Sequence, residues 1–194
     1  KENVSAFAEG SFFEKLNVGF QLVTFPMRQK IAGIFSRGDN NHQAAMEAFY
    51  KSQAEKYDAF REHFLHAREP LLASLPLTGK KDMIWVDIGG GTGRNLEYFP
   101  PDVIRNNFKS ILVVDISQSL LNVAASRVKA NKLQNIVKTC CGDINDKSFV
   151  KSILEENSAH LVTFSYSLSM IPDKQNALKT AYSLLKPNGY LGIA

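Results

Sequence analysis

Short apolar runs alternate with helix-like segments over the whole chain from residue 83 onward. Runs of this length, apolar at nearly every position, are typical of strands that are buried on both faces of a sheet. Such strands are joined in parallel by right-handed helical crossovers, which place helices on both faces. The alternation therefore predicts an α/β fold with a doubly wound, mainly parallel sheet. The predicted strands are MIWVDI, SILVVDI, NIVKTCC, HLVTFSY and YLGIA, and the predicted helices lie near residues 94–98, 117–132, 147–156 and 173–186.

A helical region precedes this core. Apolar side chains recur at helical spacing from Met46 to Phe64, and Pro70 is expected to limit the helix that they predict. We therefore expect one domain over residues 42–194, in which a helical cap over 42–75 leads into a core over 83–194. Because the last strand-like run coincides with the end of the chain, we expect this core to be C-terminally incomplete.

The first 41 residues differ from the rest in composition. No acid follows Glu14 before the turn-forming stretch SRGDNN, while basic residues alternate with phenylalanines. Such a mixture suits contact with an anionic membrane surface, and it suits packing against another domain equally well. We expect residues 1–41 to form a separate basic, aromatic N-terminal arm, and both roles stay open.

Charge and cysteine content narrow the classes of function. The net charge of +4 is small for 194 residues, and no nucleic-acid-binding motif is recognisable, so we expect no nucleic-acid partner. The two cysteines, Cys140 and Cys141, are adjacent, and adjacent residues rarely reach disulfide geometry. Two thiols are also too few for a structural zinc site. We expect no metal and a reducing compartment.

A glycine-rich turn follows the first predicted strand, and from Asp87 to Gly93 its spacing is acid-x-G-x-G-x-G. A dinucleotide fingerprint would need glycine where Arg94 or Leu96 stands, and the chain has no P-loop sequence. The remaining pattern is that of class I S-adenosylmethionine (SAM)-dependent methyltransferases, with the loop at the carboxyl end of a strand. The residues that we assign to the SAM site from this loop are Asp87, Gly89, Gly90, Gly91 and Gly93.

Two further acids follow the next two predicted strands. Asp115 ends the second strand, where a carboxylate can accept both ribose hydroxyls of a nucleoside, although it could also cap the following helix. Asp143 follows the third strand, where this fold commonly binds the adenine amino group, although an isolated Gly-Asp is also typical of a turn. We assign both acids to the SAM site, together with the residues that follow them, Ile116 and Ile144.

Three segments carry a resemblance to a known family. Residues Ala48 to Glu69, the glycine loop and residues Val162 to Asp173 resemble the methyltransferase portion of betaine lipid synthase. The resemblance implies a Rossmann-like class I methyltransferase domain that uses SAM to methylate the homoserine amine of a diacylglyceryl lipid three times. It also implies that Tyr57 and Arg61 contact the methionine end of SAM. Core packing is the alternative for Tyr57, and a solvated helix position is the alternative for Arg61.

The segment SYSLSMIP leaves the fourth predicted strand beside the cofactor. We expect Ser165 to contact the cofactor and Tyr166 to be the catalytic-site residue that faces the methyl acceptor, because an aromatic ring favours a nitrogen that becomes cationic. The alternative for Tyr166 is a wedge that packs the strand end against the helix near Asp173. Transfer from a sulfonium requires positioning rather than a covalent nucleophile, and no nucleophilic triad is recognisable.

Other functions stay open at this point. The chain could be a small-molecule or quinone-type SAM methyltransferase, or a non-catalytic SAM-binding module of a larger protein. If the betaine lipid reading holds, we expect a lipid substrate at a membrane surface and a further domain C-terminal to residue 194. We would then expect the protein on the cytoplasmic side, peripheral to an intracellular membrane such as the endoplasmic reticulum.

Overall fold

The computed structural model describes residues 42–51, 67–75 and 77–194. The predicted arm, Tyr57 and Arg61 lie outside these residues. Residues Met46–Ala194 form one compact unit. The helices are α1 (His42–Lys51), α2 (Arg68–Ala73), α3 (Pro101–Asn107), α4 (Gln118–Ala130), α5 (Lys147–Ile153) and α6 (Lys174–Leu184), with 3-10 helices at Arg94–Tyr98 and Leu168–Met170. The strands are β1 (Met83–Ile88), β2 (Phe108–Asp115), β3 (Val137–Cys141), β4 (Ala159–Phe164) and β5 (Leu185–Ile193).

The five strands form one sheet in the order β3-β2-β1-β4-β5, and every neighbouring pair is parallel. The chain moves from β1 outward to β3 and then returns to the other side of β1, so the strand order reverses between β1 and β4. Ligands of open α/β sheets bind at the carboxyl ends of the strands beside such a reversal. The predicted Rossmann-like, doubly wound fold is confirmed.

Both faces of the sheet are buried, as the uninterrupted apolar runs predict. Alternate residues of β1 enter opposite layers, with Met83 and Trp85 in one apolar cluster and Val86 and Ile88 in the other. Trp85 is fully buried and stacks edge-on against Phe99, with ring centroids 5.9 Å apart. Each such side chain contributes about 1.5–3 kcal/mol through burial. These two layers hold the strand ends in fixed positions, and the candidate site lies at those ends.

Three local features differ from the sequence expectations. Helix α3 was not predicted, because its Pro-Pro start reads as a loop, yet a proline in the first helical turn needs no N–H partner. Pro70 likewise lies in the first turn of α2 and not at a helix end. Helix α6 ends at Leu184, because Leu185 already adopts an extended conformation and pairs with Ala159 in β5.

Both cysteines lie in β3, as expected, and they are half-buried and form no disulfide. Burial raises the pKa of the Cys140 thiol, and the charge of Lys138 acts in the opposite direction. None of the helices in the described ranges is long and apolar enough to cross a membrane.

Candidate functional site

The glycine loop is attached to the end of β2 by backbone hydrogen bonds. The N–H groups of Gly89 and Gly90 donate to the carbonyl oxygen of Val114 at 2.8 and 3.1 Å. The N–H of Gly91 donates to Oδ2 of Asp115 at 2.9 Å. The loop from β1 and the acid that ends β2 are therefore parts of one structure, and the predicted cofactor residues from these two strands do meet.

Glycine is required in this loop for two different reasons. Gly89 has φ +67°, and a Cβ placed on it would lie 2.2 Å from Cβ of Ser167, so the backbone of the loop packs directly on the turn after β4. Gly91 has φ +54°, but a Cβ there would come no closer than 3.6 Å to any protein atom, and it would lie 3.8 Å from Oδ2 of Asp115. At Gly91 the left-handed φ is therefore the reason for glycine, because a Cβ there would meet Leu120 and Asp115 only at ordinary van der Waals distance.

Asp87 lies beneath the loop and is 1% exposed. Its Oδ1 accepts a hydrogen bond from the hydroxyl of Thr163 at 2.7 Å, and both of its carboxylate oxygens accept from Nδ2 of Asn95 at 2.9 Å. The hydroxyl of Thr163 in turn accepts from Nε1 of Trp85 at 2.7 Å. The hydrogen bonds of the Asp87 carboxylate therefore go to these side chains and not to the backbone of the loop. Contact of Asp87 with the cofactor stays a prediction.

Burial raises the pKa of the Asp87 carboxyl from 3.8 to about 6. The hydrogen bonds from Thr163 and Asn95 and the positive charge of Arg68 act to lower this pKa, and the charge of Asp115 acts to raise it. Desolvation outweighs the favourable contacts, because a carboxylate removed from water loses more than two neutral donors restore. Asp87 is therefore a buried acid whose protonation changes in the neutral to mildly acidic range.

Asp115 supports the loop and the start of α4 at once. Its Oδ1 accepts from the N–H of Ser117 at 2.9 Å, while its Oδ2 holds Gly91, and the residue is 8% exposed. The N-cap of α4 is Ser117, whose hydroxyl accepts from the N–H of Leu120. Helix capping, the alternative for Asp115, is thus performed by Ser117. Contact of Asp115 with a ribose stays a prediction.

The residues assigned after β3 and after β2 have mixed environments. Asp143 is half-buried in a turn and accepts from the N–H of Asn145 at 2.9 Å, which is the turn geometry that its sequence context allows. Ile144 is 4% exposed and packs in the apolar layer with Val114. Ile116 packs beside a small cluster that includes Leu120. Their contacts with adenine stay predictions.

Ser165 and Tyr166 lie at the carboxyl end of β4, on the side of the glycine loop. The hydroxyl of Ser165 accepts from Nδ2 of Asn95 at 3.0 Å. Tyr166 has φ +58°, and its hydroxyl accepts from the N–H of Ala67 at 2.6 Å. The guanidinium carbon of Arg68 lies 6.0 Å from the centroid of the Tyr166 ring. The hydroxyl of Tyr166 therefore joins the end of β4 to the start of α2, and not to the helix near Asp173.

Sequence reasoning did not identify Asn95, Thr163 or Arg68 as site residues. Asn95 and Thr163 are 2% and 0% exposed. The sequence did carry a signal for both, because Asn95 is a polar residue directly after the glycine loop and Thr163 is a polar residue near the end of an apolar strand, and buried polar side chains need partners. Arg68 lies within the segment that carries the family resemblance, but its burial follows only from the fold. Among the described residues, no group of three or more metal-ligating side chains is found.

Helix α1 adds a carboxylate to the start of α4. Both Glu47 oxygens are engaged: Oε2 accepts from the hydroxyl of Ser117 at 2.8 Å and from the N–H of Ser119 at 3.2 Å, and Oε1 accepts from the hydroxyl of Ser119. Burial acts to raise the pKa of Glu47, but these hydrogen bonds together lower it. The carboxylate also complements the positive end of α4.

We expect Glu47→Ala to lower the free energy of unfolding by about 0.5–2 kcal/mol, the usual cost of a lost helix cap. Because the pKa of Glu47 is lowered in the folded state, this contribution is present above pH 4.5 and is lost as the pH falls through the folded-state pKa. Urea denaturation at pH 7 and pH 4 measures it. Asp102→Ala, which removes an acid that is 85% exposed, is the control and should have little effect. A cost for Glu47→Ala that is equal at both pH values would contradict the capping role.

Comparison with known proteins agrees with this geometry. The model of the family described as "Methyltransferase domain" matches residues 86–191. The demethylmenaquinone methyltransferase of Chlamydia caviae is 28% identical over 154 residues, which cover 76% of this chain and 60% of that protein. The ubiquinone/menaquinone biosynthesis C-methyltransferase UbiE of Pseudoalteromonas translucida is 27% identical over 177 residues, covering 86% and 64%. The chain spans about 60% of the length of these relatives.

Solved structures share the fold at low identity. A SAM-dependent methyltransferase from Aquifex aeolicus superposes with a TM-score of 0.58 at 21% identity, over 74% of this chain and 71% of the other. The [4+2]-cyclase SpnF superposes with a TM-score of 0.53 at 23% identity, over 64% and 42%. The fold by itself thus accommodates more than one reaction. The family model matches more than half of the chain, and this match decides the assignment. The chain belongs to the methyltransferase domain family, and its cofactor is S-adenosylmethionine.

Proposed function

We propose that this protein is a SAM-dependent N-methyltransferase that methylates the homoserine amine of a diacylglyceryl lipid, as in betaine lipid synthesis. The observation that carries the proposal is the position of the segment Val162–Asp173, one of the stretches that resemble betaine lipid synthase. In the fold this segment contains the end of β4, so that Ser165 and Tyr166 lie beside the glycine loop. The residues that distinguish the family are therefore next to the cofactor site, where an acceptor has to bind.

The chemistry of the site suits an amine acceptor. Bound SAM supplies an activated methyl group, and the protein has to hold the acceptor in line with it. An uncharged amine attacks the methyl group directly, and the proton that it has to lose before each transfer can pass to water. A quinol ring carbon is activated by loss of a hydroxyl proton and also has to lose its ring proton after the transfer. At this edge of the described structure, the buried carboxyl of Asp87 faces Thr163 and Asn95 inside the fold, not the acceptor side. An amine makes the smaller demand on these residues.

A quinone-type C-methyltransferase is the second candidate, because the relatives named above act in menaquinone and ubiquinone synthesis by their names. The two candidates differ in the atom that receives the methyl group. The same purified protein can therefore be given both acceptors under identical conditions.

The test uses methyl-labelled SAM with diacylglyceryl homoserine in vesicles and, in parallel, with a reduced demethylmenaquinone. We expect up to three labelled methyl groups on the lipid nitrogen and none on the quinol. Gly89→Val, which should not bind SAM, is the negative control. Methylation of the quinol with none of the lipid would replace the first candidate by the second, and SAM binding without transfer to either would favour a non-catalytic module.

We further propose that the basic arm of residues 1–41 contacts an anionic membrane surface and that the protein acts peripherally on the cytoplasmic face of an intracellular membrane. The stretch of residues 15–37 carries four basic residues and no acid, and the phenylalanines between them support this proposal together with that charge. In the betaine lipid reading, a further C-terminal transferase domain would supply the homoserine head group. Including anionic lipid in half of the vesicles tests the membrane part, since it should raise the rate on the lipid acceptor.

A further inference from the structure

Basic side chains collect at the amino-terminal edge of the sheet, opposite the glycine loop. Lys80 precedes β1, His160 is the second residue of β4, and Lys186 is the second residue of β5. Because neighbouring strands are parallel, these residues lie at one edge, about 16 Å from the cofactor edge for a strand of six residues. Lys80 is exposed, and His160 and Lys186 are half-buried, so solvent reaches all three.

Acidic residues do not compensate the charge of this edge within the described ranges. The acids nearest to it in sequence are Asp82, Glu155 and Glu156, and none of them takes part in an ion pair of the described structure. The charges that act on His160 are those of Lys186 and Lys80, and both are positive. A surface of this kind attracts anions.

An irregularity in β5 brings Lys186 to His160. The residues on either side of His160 pair with Leu185 and Tyr190, so residues 186–189 of β5 stand opposite one residue of β4. At the start of this excursion, Nζ of Lys186 lies 2.5 Å from Nε2 of His160. The contact of the two basic groups is therefore a consequence of the strand pairing.

Hydrogen bonding assigns the proton of the His160 ring to one nitrogen. The N–H of Ile84 donates to Nδ1 at 3.0 Å, so Nδ1 has to present its lone pair. Burial lowers the pKa of His160, and the charges of Lys186 and Lys80 lower it further, which favours the neutral ring at pH 7. A neutral ring that accepts at Nδ1 carries its proton on Nε2. The group that faces Lys186 is therefore a donor.

Two donors thus face each other, and neither can accept from the other. The ammonium group of Lys186 has three N–H donors and no lone pair, and Nε2 of His160 also donates. The pair needs an acceptor that both groups can reach. The lysine stem is flexible and half-exposed, so it can swing aside to admit one. A negatively charged oxygen satisfies both donors, and the charge of Lys80 attracts it as well.

We propose that His160, Lys186 and Lys80 form a binding site for a phosphate group, at the edge of the sheet opposite the cofactor site. A phosphate monoester presents three strongly accepting oxygens and carries close to two negative charges, which match two lysines, whereas a carboxylate carries one charge. A soluble phosphate ester and a lipid headgroup share this chemistry. The inference rests neither on SAM binding nor on the identity of the methyl acceptor.

The experiment is titration calorimetry with glycerol 1-phosphate, together with NMR of the His160 ring nitrogens. We expect binding to shift the signal of Nε2. Lys186→Met should weaken binding about 10-fold or more, as for a lost hydrogen bond between charged groups. His160→Asn should also weaken it, because asparagine keeps an acceptor for the N–H of Ile84 but lacks the Nε2 donor. Lys147→Met makes the same change at an exposed lysine at the start of α5, on the cofactor edge, and should leave the affinity unchanged.

Vesicles distinguish the two sources of the phosphate. Phosphatidylcholine vesicles with and without phosphatidic acid, whose headgroup is a phosphate monoester, are sedimented with the same variants. Binding to phosphatidic acid that both Lys186→Met and His160→Asn weaken supports a lipid site, and binding of the soluble ester alone supports a site for a soluble ligand. A cooperative urea transition shows that each variant is folded.

Three results would overturn the inference. The first is that neither glycerol 1-phosphate nor phosphatidic acid binds. The second is that Lys147→Met weakens binding as much as Lys186→Met does, since the effect would then follow net charge alone. The third is that the ester binds while the signals of the His160 ring nitrogens stay unchanged.

Discussion

Gly89→Val is expected to abolish SAM binding and to lower the free energy of unfolding by about 2–5 kcal/mol, which combines left-handed backbone strain with overpacking. The added Cβ would lie 2.2 Å from Cβ and 2.8 Å from Oγ of Ser167. Ser167 cannot move freely, because its hydroxyl donates to the carbonyl oxygen of Ile88 at 2.5 Å. The loop would therefore have to shift away from β4, and the N–H groups that define the cofactor site would shift with it.

A matched control exists in the same chain. Gly79 has φ +70°, close to that of Gly89, but a Cβ there would meet no atom within 4 Å. Gly79→Val should therefore cost only the backbone strain, about 1–2 kcal/mol, and leave the affinity for SAM unchanged. Chemical denaturation and titration calorimetry measure both quantities for both variants. Normal SAM affinity in a folded Gly89→Val protein would show that the loop does not hold the cofactor.

The second large effect concerns the protonation of Asp87. Relative to Asp87→Asn, the wild-type protein should become more stable as the pH falls from 7 to 4, by up to about 3 kcal/mol. The pKa of this carboxyl is raised from 3.8 to about 6 by burial, so between these pH values the folded protein binds more protons than the unfolded chain. The destabilisation from the buried charge is therefore complete above about pH 6, and it disappears below about pH 4.

Urea denaturation of both proteins at several pH values between 4 and 7 gives this difference directly, because other titrating groups are common to both. Asp102→Asn, which changes an exposed carboxylate on the surface of α3, serves as the control. The prediction fails if the wild-type protein loses stability relative to Asp87→Asn as the pH falls.

The strands were largely predictable from the sequence. Strand β1 coincides with the run MIWVDI, and β4 begins and ends close to HLVTFSY, because strands buried on both faces leave long apolar runs. Helix α3 escaped prediction because it is short and begins at a Pro-Pro pair. Strand β5 begins at Leu185, before Pro187 and Gly189, because a register shift opposite Ala159 accommodates these residues. Such irregularities depend on the neighbouring strand and leave little local signal.

The candidate site was predictable in part. Parallel strands place their carboxyl ends at one edge, so the loop after β1 and Asp115 after β2 could be expected to meet, and they do so through the N–H of Gly91. The contacts of Asn95, Thr163 and Arg68 were not predictable, because they join distant parts of the chain. The bond from Trp85 to Thr163, for instance, spans 78 residues. The roles of Tyr57 and Arg61 stay predictions, since both lie outside the described residues.

The central claim is that the ends of β1, β2 and β4 form a site for S-adenosylmethionine. Its most direct test is titration calorimetry of the purified protein with SAM, with S-adenosylhomocysteine and with NAD. The spacing of the glycines in the loop departs from the dinucleotide fingerprint. We therefore expect SAM and S-adenosylhomocysteine to bind at one site per chain and NAD not to bind. Binding of NAD without binding of SAM or S-adenosylhomocysteine would contradict the account.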